Sequence, residues 1–236
     1  MKKVIISIIL MLCFGFKANA EMGVNIGITA LYGAFDVDGA QEMFKGAHSS
    51  SASPGDVTKK ASAEGDSAEG EFALASIFIE KTLGDKLAIG IDYVPVSADS
   101  DTAENVTNKA GSADAADLMD SAATNTVQVD FEDLTTIYAM INLTDNIYAK
   151  AGIMTVDVVT NETLNTGGAY GNTDLDGTML AIGYAKDLDN GAFVRLEGSF
   201  MDFDGASLTN QNDSTKSVKV DGIEGYGAKL SIGKSF

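Results

Sequence analysis

The sequence predicts an all-β chain: an eight-stranded antiparallel up-and-down transmembrane β-barrel with short turns on one rim and long loops on the other. Three observations carry this. Eight segments alternate apolar and polar residues with period 2, the mark of a strand with two unlike faces. The connections between them alternate short and long. No stretch after the N-terminal leader approaches the ~20 apolar residues of a membrane helix. A chain that spans lipid without helices must close its strands into a barrel, because open edges cannot sit in hydrocarbon.

The strands are read in order. The first covers Met22 to Phe35, with Val24, Ile26, Ile28, Ala30 and Tyr32 on one face and Asn25, Gly27 and Thr29 on the other. The second, Glu71 to Lys81, has two competing faces: Ala73, Ala75, Ile77 and Ile79 against Phe72, Leu74 and Phe78. The third, Lys86 to Val94, sets Leu87, Ile89, Ile91 and Tyr93 outward and Ala88, Gly90 and Asp92 inward. The fourth, Val127 to Leu143, holds one parity through Val127, Val129, Phe131, Ile137, Ala139, Ile141 and Leu143. The fifth, Ile147 to Val158, places Ile147, Ala149, Ala151 and Ile153 opposite Lys150 and Gly152. The sixth, Thr178 to Lys186, sets Leu180, Ile182 and Tyr184 against Ala181, Gly183 and Ala185. The seventh, Ala192 to Phe203, sets Ala192, Val194, Leu196 and Phe200 against Arg195, Glu197 and Ser199. The eighth ends at Phe236, with Tyr226, Ala228, Leu230 and Ile232 on its apolar parity, which Lys234 breaks near the end.

Connections 82–85, 144–146 and 187–191 are tight; 36–70, 95–126, 159–177 and 204–218 are long and polar. Unequal rims of this kind are the arrangement of outer-membrane barrels. Pro54 and Pro95 both fall in long connections, where no ladder donor is lost. With an even strand count, both termini lie on the short-turn, periplasmic rim.

The N-terminus reads as a leader. Met1-Lys2-Lys3 is basic, Val4 to Phe16 is apolar, and Ala18-Asn19-Ala20 is a small-x-small cleavage site. The domain expectation is therefore a signal peptide over 1–20 and a barrel over 21–236. Cys13, the only cysteine, lies within the apolar run. Leu12 is too large for the position before a lipidated cysteine, so lipoprotein processing is rejected. The mature chain then has no disulfide to staple it, although its compartment permits one. The whole chain carries 16 Lys and Arg against 34 Asp and Glu. Lys2, Lys3 and Lys17 fall in the leader, which leaves 13 against 34, a net −21. Nucleic acid is not expected as a partner, since binding it needs a basic face.

The terminal strand carries the most specific motif. Gly227-Ala228-Lys229-Leu230-Ser231-Ile232 and the terminal Phe236 form a Gly-x-x-apolar-x-apolar pattern ending in an aromatic. It resembles the last strand of bacterial outer-membrane barrels, where such a pattern is an assembly signal; Gly227, Leu230, Ile232 and Phe236 are its residues here. Together with the leader and the unequal rims, the chain resembles the small outer-membrane barrel family of OmpA transmembrane domains, OmpX and opacity-type adhesins. The resemblance is one of architecture. It implies a monomer in the outer membrane of a Gram-negative bacterium, with the barrel-assembly machinery, membrane lipid and lipopolysaccharide as partners. Trp is absent. The aromatic girdle is then expected from Tyr32, Tyr93, Phe131, Phe200, Tyr226 and Phe236.

An eight-stranded barrel is just wide enough for side chains to fill it. Inward Arg195, Glu197, Lys150, Lys229 and Asp92 are expected to pair, because an unpaired buried charge is costly. An ion-paired plug is favoured; a polar constriction in a narrow porin uses the same residues. Inward Gly27, Gly90, Gly152, Gly183 and Gly233 either relieve crowding or widen a channel. A soluble lipocalin-like barrel is the other eight-stranded alternative, but its outward parity should be polar and charged.

The loops are acidic and rich in Ala, Ser and Gly. The expected role is a solvated surface; adhesion or phage attachment would use the same loops. Asp99, Asp101 and Glu104, and more weakly Asp174 with Asp176, hold oxygen ligands of the kind Ca²⁺ takes, without EF-hand spacing. The only histidine, His48, stands among serines in the first loop, with nothing to fix a catalytic geometry. No enzyme activity and no cofactor are expected.

Overall fold

The computed structural model describes residues 23–44, 66–108, 122–165, 168–212, 214 and 216–236. It contains ten strands: β1 (Val24–Phe44), β2 (Asp66–Leu83), β3 (Leu87–Tyr93), β4 (Ala98–Asp99), β5 (Ala103–Asn108), β6 (Ala122–Asn142), β7 (Ile147–Leu164), β8 (Thr173–Asp187), β9 (Ala192–Thr209) and β10 (Lys216–Ser235). Eight of them are staves of one closed antiparallel ring in chain order, β1-β2-β3-β6-β7-β8-β9-β10. β3 pairs with β6, and β1 with β10. The seam is tied at its base by Val24 N to Phe236 O (3.0 Å) and Phe236 N to Val24 O (2.9 Å). β4 and β5 are short strands in the connection after β3, laid against β6.

The turns on one rim are tight because glycine supplies left-handed φ where they need it: Gly84 at 70° and Gly191 at 78°. The opposite rim differs from expectation. Segments assigned to long connections continue as strand, so β1 reaches Phe44 and β2 begins at Asp66. At ~3.3 Å per residue, the 21-residue β1 is about twice the ~9–11 residues a membrane strand needs. The barrel wall therefore projects well past the bilayer.

Facing follows the alternation on most staves. Ile28, Ile153, Leu180, Ile182, Leu196, Leu230 and Ile232 are exposed, while Asn25, Thr29, Asp92, Lys150, Arg195, Glu197, Lys229 and Ser231 are buried. Apolar residues on the outside and ionisable ones inside invert a soluble barrel, so the lipocalin-like alternative does not fit this wall. β2 resolves to Ala73, Ala75 and Ile77 outward, with Ser76, Phe78 and Glu80 buried inside.

β6 corrects the sequence reading. Its residues do not keep one face. Register shifts between Glu132 and Thr135, where Asp133 and Leu134 together oppose one residue of β7. This is a β-bulge, and Asp133 takes a φ of 55°, which Asp tolerates better than most residues. One extra residue flips every later side chain. Ile137 faces out, but Val129 and Phe131 pack inward against Val156, Val158 and Leu175. Phe131 is thus not part of the aromatic girdle. The bulge is pinned by Tyr93, whose hydroxyl donates to Asp133 Oδ1, and by Val94 N to Leu134 O at 2.9 Å.

Inward glycines serve as seats for aromatic rings. In register across neighbouring strands stand Gly27 and Phe78, Gly90 and Tyr138, Gly183 and Tyr148, and Gly233 and Phe193. A Cβ on Gly183 would lie 2.3 Å from the Tyr148 ring, and one on Gly233 2.3 Å from the Phe193 ring. Of the two expectations for these glycines, relief of crowding is what the packing uses.

Candidate functional site

Among the described residues, the lumen is where the wall brings ionisable side chains together away from solvent. The buried charged side chains there are Glu80, Asp92, Lys150, Arg195, Glu197 and Lys229. Three are cationic and three anionic, so the cluster is neutral. Every one of them stands on the inward parity of a stave, which is how period-2 alternation delivers residues from β2, β3, β7, β9 and β10 to one level.

Glu80 is the hub of one half. Arg195 clamps it with two parallel bonds, Nη1 to Oε1 at 2.6 Å and Nη2 to Oε2 at 2.8 Å. This fork-to-fork geometry is the strong form of the pair. Tyr138 donates its hydroxyl to Oε1 at 2.7 Å and Asn25 its amide to Oε2 at 3.1 Å. The Arg195 guanidinium also lies over Phe193, 4.4 Å from the ring centroid, a favourable seat for a cation.

Glu197 is the hub of the other half. Lys150 Nζ sits 2.8 Å from its Oε2, and the Tyr148 hydroxyl donates to the same oxygen at 3.0 Å. Lys229 Nζ lies 4.0 Å from its Oε1 and 3.8 Å from Asp92 Oδ2, so it bridges two carboxylates loosely. Lys150 is further held over the Tyr138 ring at 4.3 Å. Tyr138 thus touches both halves. Thr29 and Ser231 complete the polar belt, their hydroxyls 2.8 Å apart. Asp92 Oδ1, Glu197 Oε1 and Arg195 Nε have no hydrogen-bond partner among the described residues.

Beyond this level, towards the long-loop rim, the lumen turns apolar. Met154, Met179 and Met201 are buried with Phe72, Leu134 and Phe203 around them. Next comes the Val156, Val158 and Leu175 cluster with Phe131. On the opposite side, a cavity of about 500 Å³ opens at the short turns, rimmed by Asp85, Asp145 and Asp187 and ending near Tyr148, Phe193 and Arg195.

All five lumen charges expected from sequence, Arg195, Glu197, Lys150, Lys229 and Asp92, stand in this cluster. Glu80, the carboxylate with most partners, is the one that sequence reasoning missed. Within Glu71–Lys81 it is the one carboxylate on the parity of Phe72, Leu74 and Phe78, which marks it as inward only once that parity is known to face the lumen. Of the terminal motif, Leu230, Ile232 and Phe236 are exposed on the outer wall, and Gly227 faces in beside Leu31 and Ser199. Asp99, Asp101 and Glu104 are exposed along β4 and β5. Among the described residues no three acidic, His or Cys side chains are close enough to hold a metal ion. His48 and the leader lie outside the described residues.

No protein-family model matches this chain, and no curated protein matches it. Similar solved structures exist. The outer membrane protein OprG from Pseudomonas aeruginosa is 13% identical, covers 89% of this chain and 96% of its own, with a TM-score of 0.36. The outer membrane protease OmpT from Escherichia coli is 10% identical over 94% of this chain and 98% of its own, with a TM-score of 0.32. A Pseudomonas aeruginosa FadL homologue is 8% identical over 91% and 90%, with a TM-score of 0.32. These likenesses are distant, and the assignment rests on the closed ring, the apolar outer wall and the unequal rims. The chain is an eight-stranded β-barrel of the outer-membrane kind.

Proposed function

We propose that the protein is a monomeric outer-membrane barrel with a structural and surface-interaction role, its lumen sealed and its acidic loops presented to the exterior. One observation carries this reading: the polar lumen is filled by a neutral, cross-linked set of three cations and three carboxylates. A conducting filter needs a ring of one charge sign or of free carbonyl dipoles that an ion can enter and leave. Here each cation already faces a carboxylate: Arg195 and Lys150 directly on Glu80 and Glu197, and Lys229 loosely between Glu197 and Asp92. The apolar layer above it adds a dewetting barrier.

In this reading residues 1–20 are a signal peptide removed after Ala20. The β10 motif is read by the assembly machinery, the outer wall contacts membrane lipid and lipopolysaccharide, and the chain is neither an enzyme nor a cofactor protein. The test is conductance in a planar bilayer. The purified barrel should give no discrete openings at moderate voltage. Reproducible unitary steps would sink the sealed-barrel reading and establish the narrow porin in its place. The cavity behind Arg195 is the feature that favours that second reading.

A further inference from the structure

The membrane-facing wall is not evenly studded with side chains. Across β1, β10, β9 and β8 it sinks into an open hollow of about 780 Å³. Register explains the dent. Ala228 stands opposite Gly198, and these two small residues form the floor. Tyr32 and Ile182 flank them in the same row. Tyr226 and Phe200, directly opposite each other, close the side nearer the long loops, their ring centroids 5.2 Å apart. A Cβ on Gly198 would meet nothing within 4 Å, so no neighbouring side chain leans over the floor. The lining is apolar, which suits a hydrocarbon chain.

One step towards the long loops the chemistry reverses. Glu69, Asp36, Glu224 and Asp202 stand in direct register on four adjacent strands, and all are exposed. The last three lie two residues beyond Ala34, Tyr226 and Phe200 on the same outward parity. Hydrocarbon must end between the two rows, since a charged side chain on the lipid face is destabilising. That puts Tyr32 and Tyr226 at the headgroup level, where amphipathic rings settle. It also leaves Tyr226–Phe236 with the ~9–11 residues that cross the apolar core. The Tyr32 hydroxyl donates to Glu71 Oε2 at 2.8 Å, which ties the rim of the hollow to the acidic edge. Like charges opposite one another on a sheet repel. Residues 28–38, 66–76, 174–184, 196–204 and 220–228 contain no Lys or Arg to offset them.

An occupant of the hollow must therefore be apolar below and cationic above. A second copy of this chain fails the second condition, because it would bring another carboxylate row against the first. We propose that the hollow seats the acyl chain of a membrane lipid whose head carries a protonated amine. The chain lies over Ala228 and Gly198, and the ammonium donates to the carboxylates of Asp36, Glu224 and Asp202. The head supplies the selectivity: a quaternary ammonium has the charge but no proton to donate, and an anionic head is repelled. This rests on the outer wall's contact with membrane lipid and not on a sealed lumen.

The probe is a lipid with a nitroxide on its acyl chain beside the head, at low and equal mole fraction in phosphatidylcholine nanodiscs that hold the full-length barrel. Its head is ethanolamine, choline or glycerol. Broadening of alanine methyl resonances is read at Ala228 and at Ala139, which is exposed on β6 across the ring. Ala139 reports lipid contact as such and should broaden alike with all three. Ala228 should broaden roughly fivefold more with the ethanolamine lipid than with the choline lipid, the upper end of what an exposed ion pair supplies. It should broaden least with the glycerol lipid. Gly198→Leu, which fills the floor, should bring Ala228 down to the Ala139 level. Asp36→Asn/Asp202→Asn/Glu224→Gln should keep the hollow and erase the difference between lipids. Equal broadening of wild-type Ala228 by the three lipids, or a preference that survives loss of the carboxylates, would overturn the proposal while Ala139 still reported a lipid-facing wall. A dimer in sedimentation that Gly198→Leu breaks would give the hollow to a second copy and overturn it as well.

Discussion

Removing one partner of the Glu80–Arg195 pair should cost far more than removing both. The two side chains are 0% and 7% exposed, so the lumen pair is desolvated and the value for exposed ion pairs, ~0–1 kcal/mol, does not apply. Arg195→Met strips two hydrogen bonds from Glu80 and leaves a bare carboxylate held only by Tyr138 and Asn25. Glu80→Gln leaves a buried guanidinium without its counter-charge. Each single change should destabilise by ~3–5 kcal/mol, the cost of stranding a buried ion. The double variant strands neither charge; the introduced amide accepts from Tyr138 through its oxygen and donates through its nitrogen to Asn25 once the Asn25 amide flips. It should be more stable than both singles, with a coupling energy of roughly 2 kcal/mol or more. The chain has no Trp, so urea unfolding of barrels folded into lipid vesicles is followed by far-UV circular dichroism and tyrosine emission. An internal control is Lys219 with Asp221, an ion pair 49% and 48% exposed; Asp221→Asn should cost under ~1 kcal/mol. Additive singles, or singles as mild as that control, would refute a desolvated, mutually neutralised lumen.

The other predictions test packing and register. Gly183→Ala places a methyl group against the buried Tyr148 ring and should cost ~1–3 kcal/mol, whereas Gly198→Ala meets nothing within 4 Å and should change stability by less than ~0.5 kcal/mol; equal urea midpoints for the two would discard the ring-seating account. A cysteine at Glu132 should react with a membrane-impermeant maleimide in intact cells and one at Phe131 should not, since the bulge turns Phe131 inward; the reverse pattern would mean that β6 keeps one face throughout. The folded barrel should migrate ahead of its boiled form on a detergent gel, and Arg195→Met should lower the temperature at which the two forms merge.

The sequence was most legible where side-chain size and polarity agree. On β9 the order Ala192, Val194, Leu196 against Arg195, Glu197, Ser199 admits one facing, and the same holds for β7 and β10. Together with β3, which carries Asp92, such strands named five of the six lumen charges. β2 hid the sixth because a ring can satisfy the inner face as well as a polar group can. Phe78 lies inside over Gly27 and Phe72 inside over Gly33. Apolar residues then occupy both parities, and the facing of Glu80 cannot be read from strand β2 by itself. The clue lies on neighbouring strands, where a glycine stands across from each ring, and that pairing exists only once register is known. β6 failed for a different reason. A bulge costs one residue and leaves the apolar spacing intact, so Val127 to Leu143 still reads as a single face although the chain has turned over at Asp133.

The charge distribution gives the two halves of the molecule separate work. A chain this acidic could have lined its lumen with carboxylates and made a cation path. Instead the lumen holds equal numbers of each sign, and among the described residues the excess of acid stands on exposed positions of the projecting wall: Asp36, Glu69, Glu71, Asp174, Asp176, Asp202 and Glu224. Screening explains the division. Water weakens repulsion between neighbouring exposed carboxylates by its high dielectric, and beyond a Debye length, ~8 Å at physiological ionic strength, salt screens it further, so the outer wall tolerates a net charge the lumen cannot. Inside, with little water to screen them, each uncompensated charge would cost several kcal/mol. The lumen must therefore balance locally, whatever the exterior does. If that balance is what seals the barrel, Glu80→Gln/Arg195→Met and wild type should both be silent in a planar bilayer. Glu80→Gln alone, with an unmatched cation at the cavity head, should then be the variant that conducts. A conducting double variant with a silent single would place the seal in the apolar layer of Met154, Met179 and Met201 instead.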